Sequence, residues 1–173
     1  MKLRFLLVLS LLILSLSHAQ EKKWNAEINY GVIPADGFGG PDNVFDIGLK
    51  YRFIEKERFN LGFGINGGFY SRPLGFDASG VLESDTIFLF QPRLFSEVNL
   101  PFAQNLKPFI GFGYTFFESG RNQFDSFGGF NYNLGLKYDL SRQWFIQAQY
   151  DYVYSRSIGA GFNNLRVGLG FKF

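Results

Sequence analysis

The sequence alternates between apolar residues and small or polar residues with a period of two, in about eight segments of about ten residues each. In one segment, Trp144, Ile146 and Ala148 share one face of an extended chain, and Gln147 and Gln149 share the other. Successive side chains of a β-strand point to opposite faces, so the pattern predicts an all-β fold. The predicted strands are 24–33, 44–53, 59–70, 86–98, 108–117, 129–138, 144–154 and 164–173.

The size of the side chains indicates which face of the predicted strands points outward. Phe59, Leu61 and Phe63 share one face of the third segment, whereas Asn60 and Gly62 share the other. The interior of an eight-stranded barrel is just wide enough for side chains to fill, so a face of large aromatic residues does not fit inside. A soluble barrel would bury that face, and a barrel in a bilayer presents it to lipid. The side-chain volumes therefore favour a barrel in a bilayer over a soluble barrel.

Strand length and closure agree with a membrane location. A strand of about 9–11 residues tilted near 45° crosses the hydrocarbon core, and closure removes the unpaired edges that lipid penalises. The sequence therefore predicts an eight-stranded antiparallel up-and-down transmembrane β-barrel. Aromatic residues near the strand ends are expected to form girdles at the two membrane interfaces. The predicted girdle includes Trp24, Phe53, Phe59, Tyr138, Trp144, Tyr152 and Tyr154.

The predicted connections alternate between shorter turns and longer loops. Segments 54–58, 99–107 and 139–143 are expected to be periplasmic turns, and the longer connections are expected to be extracellular loops. Those loops are 34–43, 71–85, 118–128 and 155–163. They carry seven acidic residues against three basic ones, which are Asp36, Asp42, Asp77, Glu83, Asp85, Glu118 and Asp125 against Arg72, Arg121 and Arg156. Such a rim suits divalent cations that bridge lipopolysaccharide, a partner protein or a host surface, and the sequence identifies no particular extracellular partner.

The first residues have the plan of a secretory signal peptide. Lys2 and Arg4 precede the apolar run 5–16, and small or polar residues follow at 17–19. The run is shorter than the ~20 residues that a membrane-spanning helix needs. We therefore expect a signal peptide at 1–19 and a barrel domain at 20–173. Without the signal peptide, 15 basic residues face 15 acidic ones, which gives no reason to expect nucleic acid as a partner.

Ten charged residues fall on the small, polar faces of the predicted strands. Because an unpaired charge there would cost several kcal/mol, we expect salt bridges that plug the lumen. The alternative is an ion pathway, for which eight strands leave little room. The ten residues are Glu27, Asp46, Lys50, Arg52, Arg93, Glu97, Lys137, Asp151, Arg166 and Lys172.

The last predicted strand carries a pattern that resembles a known signal. Apolar residues at every second position, ending in an aromatic one, resemble the C-terminal signal that the barrel-assembly machinery of Gram-negative outer membranes reads. The residues of this predicted assembly signal are Leu165, Val167, Leu169, Phe171 and Phe173.

With these features, the chain resembles small eight-stranded outer membrane barrels, namely OmpX-like proteins, the transmembrane domain of OmpA and the outer membrane protein beta-barrel domain group. The resemblance implies a place in the outer membrane. It also implies contact with outer membrane lipid and lipopolysaccharide, and with the assembly machinery during biogenesis. An OmpA-like protein would continue into a peptidoglycan-binding domain, which we do not expect here. A structural or surface-interaction role is predicted; a small-solute pore and an accessory subunit of an envelope or secretion machine are the alternatives.

Two absences argue against an enzyme. The sequence contains no Cys, and its only His, His18, lies in the predicted signal peptide. Nucleophilic schemes that need imidazole or thiol, and nearly all zinc sites, are therefore excluded from the predicted mature chain. The barrel families that are enzymes place a His among their catalytic residues, so the resemblance does not extend to their activity. We expect no enzymatic activity, no cofactor and no metal site.

Overall fold

The computed structural model describes residues 22–33, 42–76, 82–119, 126–155 and 160–173. The predicted signal peptide lies outside these residues. The described residues form eight strands: β1 (Trp24–Ile33), β2 (Asp42–Glu55), β3 (Phe59–Phe76), β4 (Leu82–Val98), β5 (Leu106–Ser119), β6 (Ser126–Asp139), β7 (Trp144–Ser155) and β8 (Ala160–Lys172). Among the described residues, we find no helix of the length and apolar character that a membrane span requires.

The strands form one closed barrel in which each strand pairs with its neighbours in the sequence, and β1 pairs with β8. All eight pairings are antiparallel. At the β1–β8 closure, the backbone N–H of Trp24 donates to the carbonyl of Phe173 at 3.1 Å, and the N–H of Phe173 donates back at 2.9 Å. The prediction of an all-β, eight-stranded antiparallel barrel is confirmed.

The turns 56–58, 99–105 and 140–143 lie at the same end of the barrel as Trp24 and Phe173. We call this the periplasmic end and the opposite one the extracellular end, because outer membrane barrels have short periplasmic turns.

Several strands are longer at the extracellular end than the sequence predicts. Segment 71–85 was expected to be a loop, but β3 continues to Phe76 and β4 begins at Leu82. The prediction was wrong because it matched strand length to bilayer thickness, whereas antiparallel pairing continues from Ser71–Thr86 outward. Of the predicted acidic rim, only Glu118 has a described side chain, and it is exposed. Four other rim residues lie in the strands, namely Asp42, Arg72, Glu83 and Asp85, and five lie outside the described residues, namely Asp36, Asp77, Arg121, Asp125 and Arg156.

The two faces of each strand meet different surroundings. Along β7, side chains from Phe145 to Ser155 are buried at every second position, and those between them are exposed or half-buried. The outer face is strongly apolar: Leu94, Phe112 and Val167 are each about 60% exposed. This outer face is the one that the alternation assigns to lipid.

The residues of the predicted girdle and assembly signal all lie on this outer face, exposed or half-buried. Five girdle residues are at the periplasmic end, and Tyr152 and Tyr154 are nearer the extracellular end. Trp144 and Phe171 pack edge to face with ring centroids 5.0 Å apart. Their roles as girdle and as assembly signal stay predictions.

Candidate functional site

The lumen contains all ten of the charged side chains that the alternation predicts to face inward. Each of the ten residues is at most 7% exposed, and together they are six bases and four acids from six strands. Four ion pairs among the ten join strands that are not neighbours in the barrel, so these side chains meet across the lumen: Arg52–Glu97, Arg93–Asp151, Lys137–Glu97 and Arg166–Asp46. The contacts fall into clusters along the barrel axis.

The cluster nearer the extracellular end is centred on Arg166. Its guanidinium forms an ion pair with Asp46 of β2, and its Nη2 lies 2.6 Å from Oδ2 of Asp151 of β7. Arg93 of β4 approaches the other oxygen of Asp151 at 2.9 Å. Oε1 of Gln91 accepts hydrogen bonds from both arginines, at 3.1 Å from Arg166. These contacts tie β2, β4, β7 and β8 together, and the forked guanidinium suits this because it can contact two carboxylates at once.

Two asparagine amides connect this cluster to the next one. Nδ2 of Asn29 and Nδ2 of Asn66 donate to Oδ1 of Asp46 at 2.8 and 2.7 Å. Both also contact Oε1 of Glu27 at 3.2 Å. The other oxygen of Glu27 lies 2.7 Å from Nζ of Lys50. Glu27 and Asp46 are thus each matched by a basic side chain and by neutral donors, as burial of charge requires.

The cluster at the periplasmic end is centred on Glu97. Oε2 of Glu97 lies 3.0 Å from Nε of Arg52, and the carboxylate forms a second ion pair with Lys137. Lys172 is paired with Asp139 at 2.5 Å. Asp139 was predicted to lie in a turn, but it is the last residue of β6, and its carboxylate reaches inward. The sequence analysis missed Asp139 because it assigned the end of β6 one residue too early. It also assigned Lys107 to a turn, whereas Lys107 lies in β5 with its Nζ 3.0 Å from Oδ2 of Asp139.

Aromatic rings accompany the lysines in the periplasmic half of the lumen. Nζ of Lys50 lies 5.0 Å from the ring centroid of Phe109 and 5.8 Å from that of Phe95, and Nζ of Lys137 lies 5.3 Å from that of Phe145. At these distances, the ring faces attract the ammonium groups. The sequence analysis assigned bulky aromatic residues to the outer face and therefore missed these three.

Glycines on neighbouring strands make room for the inward rings. A Cβ at Gly170 would collide with the ring of Phe145, and a Cβ at Gly62 would collide with the ring of Phe95. Gly62 and Gly170 are therefore required by close packing, which is a recognised use of glycine within strands.

An apolar layer lies inside the barrel at its extracellular end. We call it the apolar cap; its buried members are Val44, Tyr70, Ile87, Leu89, Phe117 and Val153, with Ile33 and Phe162 packed against them. The ring of Phe117 lies 6.3 Å from that of Tyr70 and 6.0 Å from that of Phe162. A cavity of about 30 Å³ remains between the cap and Gln91, Asp151 and Asn164. This space suits a water molecule, not a solute.

Among the described residues, no group of three or more His, Cys, Asp and Glu side chains is arranged to hold a metal ion. The four inward carboxylates that the sequence singled out are each in an ion pair with Lys or Arg. The described part of the lumen therefore offers an internally paired network of charges.

Comparison with known proteins agrees with this architecture. The family described as "Outer membrane protein beta-barrel domain" matches residues 5–173. A search of curated proteins finds no match. The N-terminal barrel domain of Pseudomonas aeruginosa OprF is 18% identical with a TM-score of 0.61, and Neisserial surface protein A is 11% identical with a TM-score of 0.60. Yersinia pestis Ail, in complex with the heparin analogue sucrose octasulfate, is 14% identical with a TM-score of 0.55.

Each of these three alignments covers 87% of this chain and 96% of the solved one. At identities this low, the solved structures show the fold alone, whereas the family match covers nearly the whole sequence. The chain belongs to the outer membrane protein beta-barrel domain family and is a protein of the cell outer membrane.

Proposed function

We propose that this protein is a non-enzymatic outer membrane barrel whose lumen is closed to ions and whose extracellular end makes its functional contacts. The observation that carries the proposal is the filled lumen, in which paired charges lie beneath the apolar cap. Such a barrel would offer neither a passage nor a reactive site, so its function would reside at its exposed end. Loops held by a rigid scaffold are the usual place for binding.

The arrangement of the charges supports closure against ions. A permeating ion would have to separate the pairs that Arg166 makes with Asp46 and Asp151. It would also have to pass the apolar cap, where it would lose its water without gaining a partner, at a cost of several kcal/mol. Eight strands leave no second route around these side chains.

The same contacts support a non-enzymatic role. Glu97 and Asp151 are each held by two basic side chains, and both carboxylates are buried. Two carboxylates that act as acid and base need access to a substrate and to water. The predicted mature chain offers no imidazole or thiol as an alternative.

The extracellular end offers a surface for contacts. The last β2–β3 pair is Val44–Tyr70, and β4–β5 pairing begins at Ile87–Ser119, whereas β3 and β4 pair with each other as far as Phe76–Leu82. We call segments 71–76 and 82–86 the β3–β4 ribbon. Within the described residues, its outer edges have no partner strand. Unpaired edges are available to extended segments of another molecule.

The predicted charge of the rim bears on the kind of partner. Ail has been solved with a polysulfated heparin analogue. The predicted rim of the present chain has seven acids and three bases, so we do not extend that ligand to it. We propose instead a cationic protein surface, or lipopolysaccharide bridged by divalent cations.

Photo-crosslinking in intact cells tests the surface role. A photoreactive amino acid at Ser71, which is exposed on the ribbon, should give adducts with protein or lipopolysaccharide. The matched control is the same amino acid at Leu134, which is exposed on the lipid-facing surface of β6 and should crosslink to phospholipid alone. Chelation of divalent cations should remove the lipopolysaccharide adduct and leave a protein adduct. Identical adducts from the two positions would refute a contact surface at the ribbon.

A further inference from the structure

The lipid-facing surface is grooved near the closure of the barrel. An apolar groove of about 570 Å³ extends from the periplasmic end of β7 across β8 and β1 towards β3 and β4. Its lining includes two very small outward residues, Ala26 and Gly67, and a Cβ at Gly67 would meet no atom within 4 Å. Trp144 and Phe171 border its periplasmic end. The outer face is therefore hollow here, within the region that acyl chains occupy.

Two exposed basic residues, Lys22 and Arg142, come together at the periplasmic end of this groove, two positions before Trp24 and Trp144. Nζ of Lys22 donates to the backbone carbonyl of Arg142 at 3.2 Å, although 120 positions separate the two residues. The turn that carries Arg142 is fixed by Oγ of Ser141, which accepts a hydrogen bond from the N–H of Trp144 at 3.0 Å. Lys22 and Arg142 are both exposed, and neither forms an ion pair with an acidic residue in the part of the chain that the structure describes.

A second turn at the same end of the barrel differs in its balance of charge. In the turn that joins β2 and β3, Lys56 and Arg58 alternate with Glu55 and Glu57, so this turn carries balanced charge. Asp139 lies three positions before Arg142, but its carboxylate is paired with Lys107 and Lys172, so among the described residues it does not neutralise Lys22 or Arg142. A basic pair beside an apolar groove matches a molecule with an anionic head and an apolar chain.

We propose that this place is a binding site for an anionic phospholipid of the periplasmic leaflet. The phosphate contacts the side chains of Lys22 and Arg142, and one acyl chain lies in the groove past Trp144 and over Ala26. The barrel thereby selects one class of lipid at its β8–β1 closure. The site lies at the opposite end from the β3–β4 ribbon and does not depend on the proposed surface role.

Tryptophan fluorescence tests the proposal directly, because the sequence has only two tryptophans and one of them borders the groove. A Trp24→Phe variant leaves Trp144 as the only reporter. The full mature protein is placed in mixed vesicles of phosphatidylglycerol and phosphatidylcholine, in which one lipid at a time carries brominated acyl chains that quench fluorescence. Brominated phosphatidylglycerol should quench Trp144 more strongly than the same fraction of brominated phosphatidylcholine.

Variants separate the two parts of the site. Lys22→Gln and Arg142→Gln should each lower the preference for phosphatidylglycerol roughly fivefold. This is about the gain in affinity that one basic residue near an anionic membrane surface provides. Ala26→Leu should weaken the quenching by filling the groove, with no change of charge. Arg58→Gln, which removes an exposed charge from the balanced turn, is the matched control and should keep the preference.

Each sample is first checked for a heat-dependent shift in SDS electrophoresis, so that only folded barrels are compared. Equal quenching of Trp144 by the two lipids would overturn the proposal. A preference that persists in the Lys22→Gln/Arg142→Gln double variant would overturn it as well.

Discussion

An Arg166→Met variant is expected to lose about 3–5 kcal/mol of unfolding free energy, because a buried ion pair that loses one partner leaves an uncompensated charge. Arg166 is 2% exposed and is in contact with the carboxylates of both Asp46 and Asp151. Methionine fills much of the same volume without charge. Arg93 remains beside Asp151, so Asp46 is the carboxylate that loses its only basic partner among the described contacts.

Denaturant unfolding of the protein in lipid vesicles, followed by tryptophan fluorescence, measures the loss. Arg58→Met is the control, since Arg58 is exposed and its replacement should change stability by less than about 0.5 kcal/mol. Adding Asp46→Asn to Arg166→Met should recover part of the loss, because it removes the carboxylate that was left without a base. A loss below about 1 kcal/mol for Arg166→Met would contradict a network of paired charges.

A Leu134→Arg variant is expected to lose about 2–4 kcal/mol, which is the cost of a cationic side chain on the lipid face near the bilayer midplane. Leu134 is 51% exposed and lies on the outer face of β6. Phe130 lies on the same face of the same strand, four residues nearer the extracellular end, and is 75% exposed. Phe130→Arg should therefore cost only about 0–1 kcal/mol.

The comparison of Leu134→Arg with Phe130→Arg tests depth in the bilayer, because the substituted residue type, the strand and the face stay nearly constant. The same unfolding measurement applies. If both variants lose the same stability, the assignment of the central band of this face to hydrocarbon is wrong.

The alternation along β7 shows why so much of the fold could be predicted. Apolar residues occupy one parity from Trp144 to Tyr154, and Gln147, Gln149 and Asp151 occupy the other. A period of two fixes the face of every residue once one face is assigned, and strand length with side-chain volume assigned the outer face to lipid. This local rule placed the ten charged residues inside without any knowledge of the register.

The partners of those charges could not be predicted in the same way. Arg166 of β8 reaches Asp46 of β2, and Arg52 of β2 reaches Glu97 of β4. In each pair, one strand lies between the two strands that carry the paired residues. The contact therefore depends on the stagger between strands and on the width of the barrel. Neither is encoded in the spacing along one strand.

The apolar cap was missed for a different reason. In β4, the four consecutive residues 87–90 are all apolar, so the inward and outward positions cannot be told apart from the alternation. The structure places Ile87 and Leu89 inside and Phe88 and Phe90 outside. The rule that a polar inner face opposes an apolar outer face holds along the middle of the barrel. It fails near the extracellular end, where apolar side chains pack against one another inside the barrel.

Single-channel recording in planar bilayers tests the closed lumen most directly. The sample is mature protein from outer membrane fractions whose electrophoretic mobility in SDS shifts on heating, so that the barrel is known to be folded. We predict a silent bilayer, because the ion pairs of Arg166 and Glu97 and the apolar cap leave no path for ions. Discrete conductance steps from the same folded sample would contradict the closed lumen and identify the barrel as a pore.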